Sequence, residues 1–281
     1  ASVVIPRTGS KLGNLQPAHP HLALPTPCCA AGRMELVDEE ADAAAASSQG
    51  SWYERPAKKL DHVVSCGRVR LQVRERPDEA VGTGGEVWNA SHVLLRHLCD
   101  ERRLASGAPL AGRRVVEVGA GAGLPAMACA LLGADATLTD EERVLGVMRE
   151  NVAANFGDAG RCAPSGGRCR AAVLSWGQDA SHLEPPFDLV LGADILYRPE
   201  TYPALVDTLD ALTGPDGQCM LAWERRSPLE AQFLELAKEH FVVRDTFEEL
   251  DEATRGEFAC VTLVTLSRPR ERAAGREPEA A

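Results

Sequence analysis

At 281 residues, 44% hydrophobic and 25% charged, the chain can fill one full α/β core with tails to spare. A net charge of −11 and a pI near 5.2 argue against a surface that coats nucleic acid, and no apolar run approaches the ~20 residues of a membrane helix. The nine cysteines form neither a C-x-x-C pair nor a His–Cys cluster at zinc spacing, so no metal is expected and a reducing compartment fits best.

Residues 1–50 are rich in Pro, Ala, Gly and Ser without a sustained period, the composition of a disordered extension. Residues 1–33 lack acids but carry Arg7, Lys11 and Arg33. Two readings compete: an organelle transit peptide, although serine is sparse for one, or a leader upstream of a true start at Met34. The second is preferred, which makes the protein cytoplasmic; the first would make it organellar. Residues 60–75 alternate around Cys66-Gly67 and predict a β-hairpin, with Arg68, Arg70 and Arg74 turned away from Val69, Leu71 and Val73. A Gly-rich connector, 81–85, leads to Glu86-Val87-Trp88-Asn89-Ala90. A helix is predicted over 91–103, with Val93, Leu94, Leu95 and Leu98 as its core stripe.

The stretch 115–124, Val-Val-Glu-Val-Gly-Ala-Gly-Ala-Gly-Leu, organises the rest of the chain. Val115, Val116 and Val118 suit a strand buried on both faces, and Gly119, Gly121 and Gly123 let the backbone turn sharply against a ligand. Residues 124–132 read as the next helix. A dinucleotide pattern would need glycine at 124, where Leu124 stands. Gly-x-Gly-x-Gly with an acid two residues earlier, Glu117, is instead the arrangement of S-adenosylmethionine enzymes, in which a carboxylate can answer the ammonium of the methionine part. Residues 136–140 then predict a strand ending in Asp140, whose carboxylate can accept both ribose hydroxyls.

Beyond it, 141–155 is predicted as a helix, 157–170 as a flexible insertion, 171–174 as the third strand and 187–193 as the fourth. Pro199 starts a helix to 212, 217–223 is the fifth strand, and 228–240 the helix after it. Residues 241–247 and 257–266 close the sheet as an antiparallel pair, and a charged disordered tail begins at 267. Alternating strands and helices mean a mainly parallel sheet with helices on both faces.

Residues 117–124, Thr139-Asp140, 151–155, Leu174-Ser175-Trp176-Gly177 and the run 187–197 ending Asp194-Ile-Leu-Tyr197 together resemble the methyltransferase-like 21 group of protein-lysine methyltransferases, within the wider family 16. Val87-Trp88-Asn89-Ala90 is similar to that group's Val-Trp-Asp-Ala segment. The resemblance covers about 60–266. It implies a Rossmann-like, seven-stranded class I methyltransferase sheet over 56–267 with an N-terminal hairpin, flanked by disordered 1–55 and 268–281. It implies S-adenosylmethionine contacts from Trp88, Gly119, Ala120, Gly121, Asp140, Trp176 and Ala193, beside Glu117 and Gly123 read from the glycine turn. Asp194 and Tyr197 match the group's Asp-x-x-Tyr, tied to substrate handling. The expected partner is a protein presenting a lysine, a molecular chaperone being the leading candidate, with no nucleic acid, no membrane and a monomeric enzyme. Two departures stand out: Asn89 replaces the usual acid, and 157–170 has no counterpart in the group.

Bland readings compete at each position. Trp88 and Trp176 could be core tryptophans, Asp194 a helix cap and Tyr197 a surface aromatic; the acids of 248–252 read as a solvated turn. A strand-end carboxylate nevertheless lies where ligands bind in such sheets. Making a neutral lysine amine at pH 7 costs about 4.6 kcal/mol, and a carboxylate beside it favours the charged form. Asp194 is therefore expected to capture and aim the ammonium while the sulfonium and an apolar pocket lower its pKa. The absence of Asn-Pro-Pro-Tyr/Phe favours an aliphatic amine. Transfer to histidine, arginine or a small molecule, and a non-catalytic binding module, are the alternatives.

Overall fold

Alternating polarity sets the first element. In the computed structural model, which describes residues 60–77, 80–100, 104, 110–157, 159–160 and 165–269, Leu60–Cys66 (β1) and Val69–Glu75 (β2) pair antiparallel with Cys66 opposite Val69. Val69, Leu71 and Val73 are buried while Arg68 and Arg70 are exposed, so the period of two turns one face to the core. The expectations for 1–55 lie outside the described residues, as do those for 270–281.

The helix expected at 91–103 runs Asn89–Cys99 (α1), with Val93, Leu94, Leu95 and Leu98 buried as the stripe requires. A seven-stranded sheet comes next: Arg114–Val118 (β3), Asp135–Asp140 (β4), Arg168–Val173 (β5), Phe187–Ala193 (β6), Thr213–Glu224 (β7), Val242–Asp245 (β8) and Val261–Ser267 (β9). The order is β5-β4-β3-β6-β7-β9-β8, and only β9 runs against its neighbours. Val115 belongs to one apolar layer and Val116 and Val118 to the other, which is why valines stand on both faces of the strand around Glu117. The first layer holds the hairpin, α1, Leu124–Leu131 (α2) and Leu145–Phe156 (α3); the second holds Tyr202–Leu212 (α4) and Glu230–Ala237 (α5).

Several bounds move, each for a physical reason. β5 starts at Arg168, inside the expected insertion, because Arg168 and Arg170 face solvent around buried Cys169 and disguise the strand as loop. The acids near 250 do more than solvate a turn. Asp251 accepts the Thr254 N–H at 3.0 Å and caps a short helix, Glu252–Glu257 (α6), so β9 begins at Val261 and not at 257. Nor does the disordered tail begin at 267. Ser267 ends β9, and the mostly buried Arg268 donates to the Asp210 and Thr213 carbonyls at 2.6 and 3.0 Å.

Asn151 and Asn155, one helical turn apart on α3, act as a side-chain edge for β2. The Asn151 Oδ1 and Asn155 Oδ1 accept the N–H groups of Arg74 and Gln72 at 2.7 and 2.8 Å, and their amides donate to the carbonyls of the same two residues. The i, i+4 spacing of a helix thus meets the i, i+2 spacing of a strand. The hairpin is held against the parallel sheet without joining it. From β3 the chain winds outward to β5 and then returns to β6 on the other side of β3, so a crevice opens at the carboxyl ends of β3 and β6.

Candidate active site

At that crevice lies a cavity of about 220 Å³. Nine of the eleven residues singled out from the sequence line it: Trp88, Gly119, Ala120, Gly121, Asp140, Trp176, Ala193, Asp194 and Tyr197. Glu117 and Gly123 do not.

The glycine turn forms the wall beside β3. At Gly119 (φ 61°) a Cβ would stand 2.8 Å from Ile195 Cγ2 and 3.3 Å from the Trp176 ring; at Gly121 (φ 55°) it would stand 2.9 Å from the Gly84 carbonyl. Bare, left-handed backbone is therefore required, and it leaves main-chain atoms open to a ligand. Asp140 closes β4 and accepts the Gly121 and Glu141 N–H groups at 2.9 and 2.7 Å. Burial pushes its carboxyl above the ordinary range in spite of those bonds. Two of the carboxylate's roughly four lone-pair sites are used, so it can still accept a diol.

Glu117 has another neighbour. It is fully buried, on the opposite face of β3 from Val116 and Val118, and its Oε2 accepts the Ala126 N–H in the first turn of α2 at 2.9 Å. Burial pushes its pKa up to about 8, and Oε1 has no hydrogen-bond partner. The expected meeting with a ligand ammonium is not what this geometry provides: the carboxyl faces a helix terminus. Gly123 precedes α2 with φ 81°, packed against Leu138.

A short connector roofs the cavity. The 3₁₀ turn Gly82–Gly85 is tied down by the Arg76 N–H to the Gly85 carbonyl (2.8 Å), by the Val87 N–H to Glu75 Oε2 (2.8 Å), and by Arg143 to the Val81 carbonyl (3.0 Å). The hairpin end thereby sets the height of the roof, and Trp88 comes after it with its indole N–H on the Thr83 carbonyl at 3.2 Å.

The wall beside β6 is built from charge. Asp194 takes a left-handed backbone (φ 58°), uncommon for a residue other than glycine, and its N–H donates to the Ala222 carbonyl of β7 at 2.8 Å. Its side chain is 5% exposed and is held by both arms of Arg226, Nη1 to Oδ1 at 2.6 Å and Nη2 to Oδ2 at 2.8 Å. The Glu224 N–H adds a third bond at 3.2 Å, and Arg226 also reaches Glu224 Oε2 at 2.9 Å. The guanidinium lies 5.4 Å from the centre of the Trp88 ring, within cation–π range. Tyr197, 54% exposed, stands at the mouth.

Arg226 is the residue that sequence reasoning missed, together with Ile195, Arg143 and the Thr83-Gly84 roof. Its only sequence signal is a basic residue just past a predicted parallel strand. The register Ala193↔Ala222 puts the Asp194 and Arg226 segments side by side, and register is invisible in the sequence. Among the described residues no three His, Cys, Asp or Glu come together as a metal site, and no helix is long and apolar enough to cross a membrane.

The donor set fits S-adenosylmethionine: a carboxylate for a ribose diol, bare glycine backbone, and indole surface for flat or cationic groups. Known proteins agree with the geometry. A family model described as lysine methyltransferase matches residues 67–240, more than half of the chain. The "EEF1A lysine methyltransferase 3" of Mus musculus is 36% identical over 178 residues, 63% of this chain and 71% of that protein. The "Protein N-lysine methyltransferase METTL21A" of Danio rerio is 34% identical over 181 residues, covering 63% and 76%. Among solved structures, the T. thermophilus 16S rRNA N2 G1207 methyltransferase in complex with AdoMet and guanosine superposes with a TM-score of 0.53 at 18% identity, over 76% of this chain and 52% of that one. That likeness shows the class I fold.

Proposed function

Since this chain belongs to the lysine methyltransferase family, we propose that its crevice methylates a lysine of a non-histone protein through the residues gathered there. The protein is an S-adenosylmethionine-dependent protein-lysine N-methyltransferase. Two acceptors come first for assay: the EEF1A named for the mouse relative, and a molecular chaperone, as the sequence resemblance implies. The catalytic domain is 56–267, with 1–55 and 268–281 as flanking segments. The enzyme acts as a cytoplasmic monomer, and the net charge of −11 is a reason to expect no nucleic-acid partner.

The single supporting observation is that one crevice at the switch point of the sheet gathers the glycine turn, Asp140, both tryptophans and Asp194. Asp140 holds the ribose diol, Gly119 to Gly121 border the methionine chain, and Trp88, Trp176 and Ala193 enclose the rest. Glu117 and Gly123 serve the cofactor indirectly by fixing the start of α2. When bound, S-adenosylmethionine supplies a methyl group on a cationic sulfur, open to in-line attack by an amine.

Asp194 and Arg226 then have a joint role. A lone carboxylate would raise the acceptor's pKa, which opposes forming the attacking amine. Clamped by a bidentate guanidinium that it shares with Glu224, Asp194 has part of its charge offset, and its remaining lone pair can accept one N–H and aim the nitrogen. The acceptor is oriented without its ammonium being strongly stabilised, and Tyr197 borders its path at the mouth. Incubating the enzyme with purified EEF1A, a purified chaperone, and deuterated-methyl S-adenosylmethionine tests the reading. Mass spectrometry should place the label on a lysine Nζ. Label on histidine, on arginine or on no protein would overturn it.

A further inference from the structure

Behind Tyr197 lies a second cavity of about 210 Å³, which shares Asp194 and Tyr197 with the first. Its apolar surface comes from Leu196, Tyr197, Pro199, Tyr202, Trp223 and Leu229. Of the three exposed large hydrophobic side chains among the described residues, two, Tyr197 and Leu229, border it.

The polar groups around this cavity are already bonded to one another. The Trp223 indole N–H donates to Glu230 Oε2 at 2.8 Å, and Glu230 Oε1 accepts the N–H groups of Arg226 and Ser227 at 2.9 and 3.0 Å. The Tyr202 hydroxyl donates to the Leu196 carbonyl at 3.0 Å, and Asp194 and Glu224 hold Arg226. Each of these polar groups has a partner within the wall. A polar occupant would lose its bonds to water and gain few in return, whereas an apolar one gains dispersion contact and loses nothing.

We propose that this cavity is a subsite for an apolar side chain of the acceptor protein, close to the target lysine. The proposal rests on the reading of the first cavity as the lysine-methylating cleft. Continuity carries it. The two hollows share Asp194 and Tyr197 as a common wall, and the exposed Tyr197 and Leu229 border the second, so a protein surface that delivers an amine past Tyr197 is brought beside the second hollow. Tyr197 then divides two neighbouring side chains, the lysine entering one hollow and an apolar residue the other. The fixed pair Asp194–Arg226 belongs to the partition, which keeps the apolar subsite separate from the charged one.

Leu229 is the position to test, because it is 41% exposed and stands just before α5, where substitution leaves the core intact. Initial rates are measured with the full chain against purified EEF1A and against whole-cell lysate as acceptors, with tritiated methyl donor. Leu229→Asp should raise the apparent KM for acceptor about tenfold or more, the scale of a lost apolar contact. It should change kcat less than twofold, leave S-adenosylhomocysteine affinity and circular dichroism unchanged, and be rescued by Leu229→Met. A photo-crosslinking amino acid at 229 should join the acceptor within a few residues of the methylated lysine. An unchanged KM, a loss confined to kcat, or a crosslink to this chain or to a second copy of it would overturn the subsite. If the wild type binds S-adenosylhomocysteine yet labels nothing, the reading of the cleft itself falls, and the subsite with it.

Discussion

The two walls of the crevice are made by different means. Beside β3 and β4, the wall is local: a glycine turn, a strand-end carboxylate and two backbone N–H bonds, all within a short stretch of sequence. Beside β6 and β7, it is a long-range ion pair between residues 32 positions apart, held over an indole from a third segment. The first arrangement suits an invariant ligand, because backbone and one acid suffice. The second places a carboxylate whose charge depends on a partner just past another strand. Binding and turnover should therefore fail separately.

The largest expected effect is on the β6 wall. Asp194→Asn keeps the shape but loses a charge-assisted clamp, so kcat should fall about a hundredfold, as when one fixed polar group at a reacting centre is removed. Affinity for S-adenosylhomocysteine should stay within about threefold. A calorimetric affinity falling in parallel with kcat would merge the two walls into one.

On the other wall, Asp140→Ala should weaken S-adenosylmethionine binding by about 1.5–3 kcal/mol, the scale of bonds to a charged group. That is roughly tenfold to a hundredfold. Turnover at saturating cofactor should change much less. Unchanged affinity would remove Asp140 from the site.

Next comes the partner charge. Arg226→Gln leaves Asp194 unneutralised beside the acceptor, so the apparent pKa in the pH–rate profile should rise by about 1 unit, or ~1.4 kcal/mol. Asp194→Asn alone leaves a bare guanidinium and should shift that pKa down. The double variant should return it close to wild type. An Arg226→Gln profile that keeps the wild-type pKa, or moves below it, would sink the view that Arg226 offsets the Asp194 charge.

The smallest effect on activity concerns Glu117, whose folded pKa of about 8 lies above its ordinary value of 4.5 and makes stability the quantity to measure. A raised pKa means that the protonated form is the stable one in the fold. The stabilisation is complete below pH 4.5 and is lost as pH climbs through 8. Glu117→Gln mimics the protonated form and still accepts the Ala126 N–H. It should flatten the fall in Tm between about pH 5 and 9, by roughly 2–4 °C at the alkaline end for each kcal/mol of linkage removed. A variant whose Tm falls as steeply as wild type would show that Glu117 ionises freely.

Much of this protein was legible in its sequence, because its signals are local. The valine run, the glycine turn and the acid ending the next strand lie within 26 residues, 115–140, and each arises from backbone sterics or strand periodicity. They led to the expectation of a mainly parallel sheet with a nucleotide-like ligand at a strand's C-terminal end; the switch point itself came from the strand order. Boundaries blurred where local chemistry misleads. Arginines facing solvent hid the start of β5, and acids that looked merely solvated turned out to cap α6. Only the tertiary structure decided which face Glu117 takes, because burial against α2 turns an acid read as a ligand contact into a neutral-leaning prop. The same holds for Arg226. Whether a basic residue past β7 is solvent-borne or the counter-charge of Asp194 depends on how β6 and β7 align, and strand register is a property of the folded sheet.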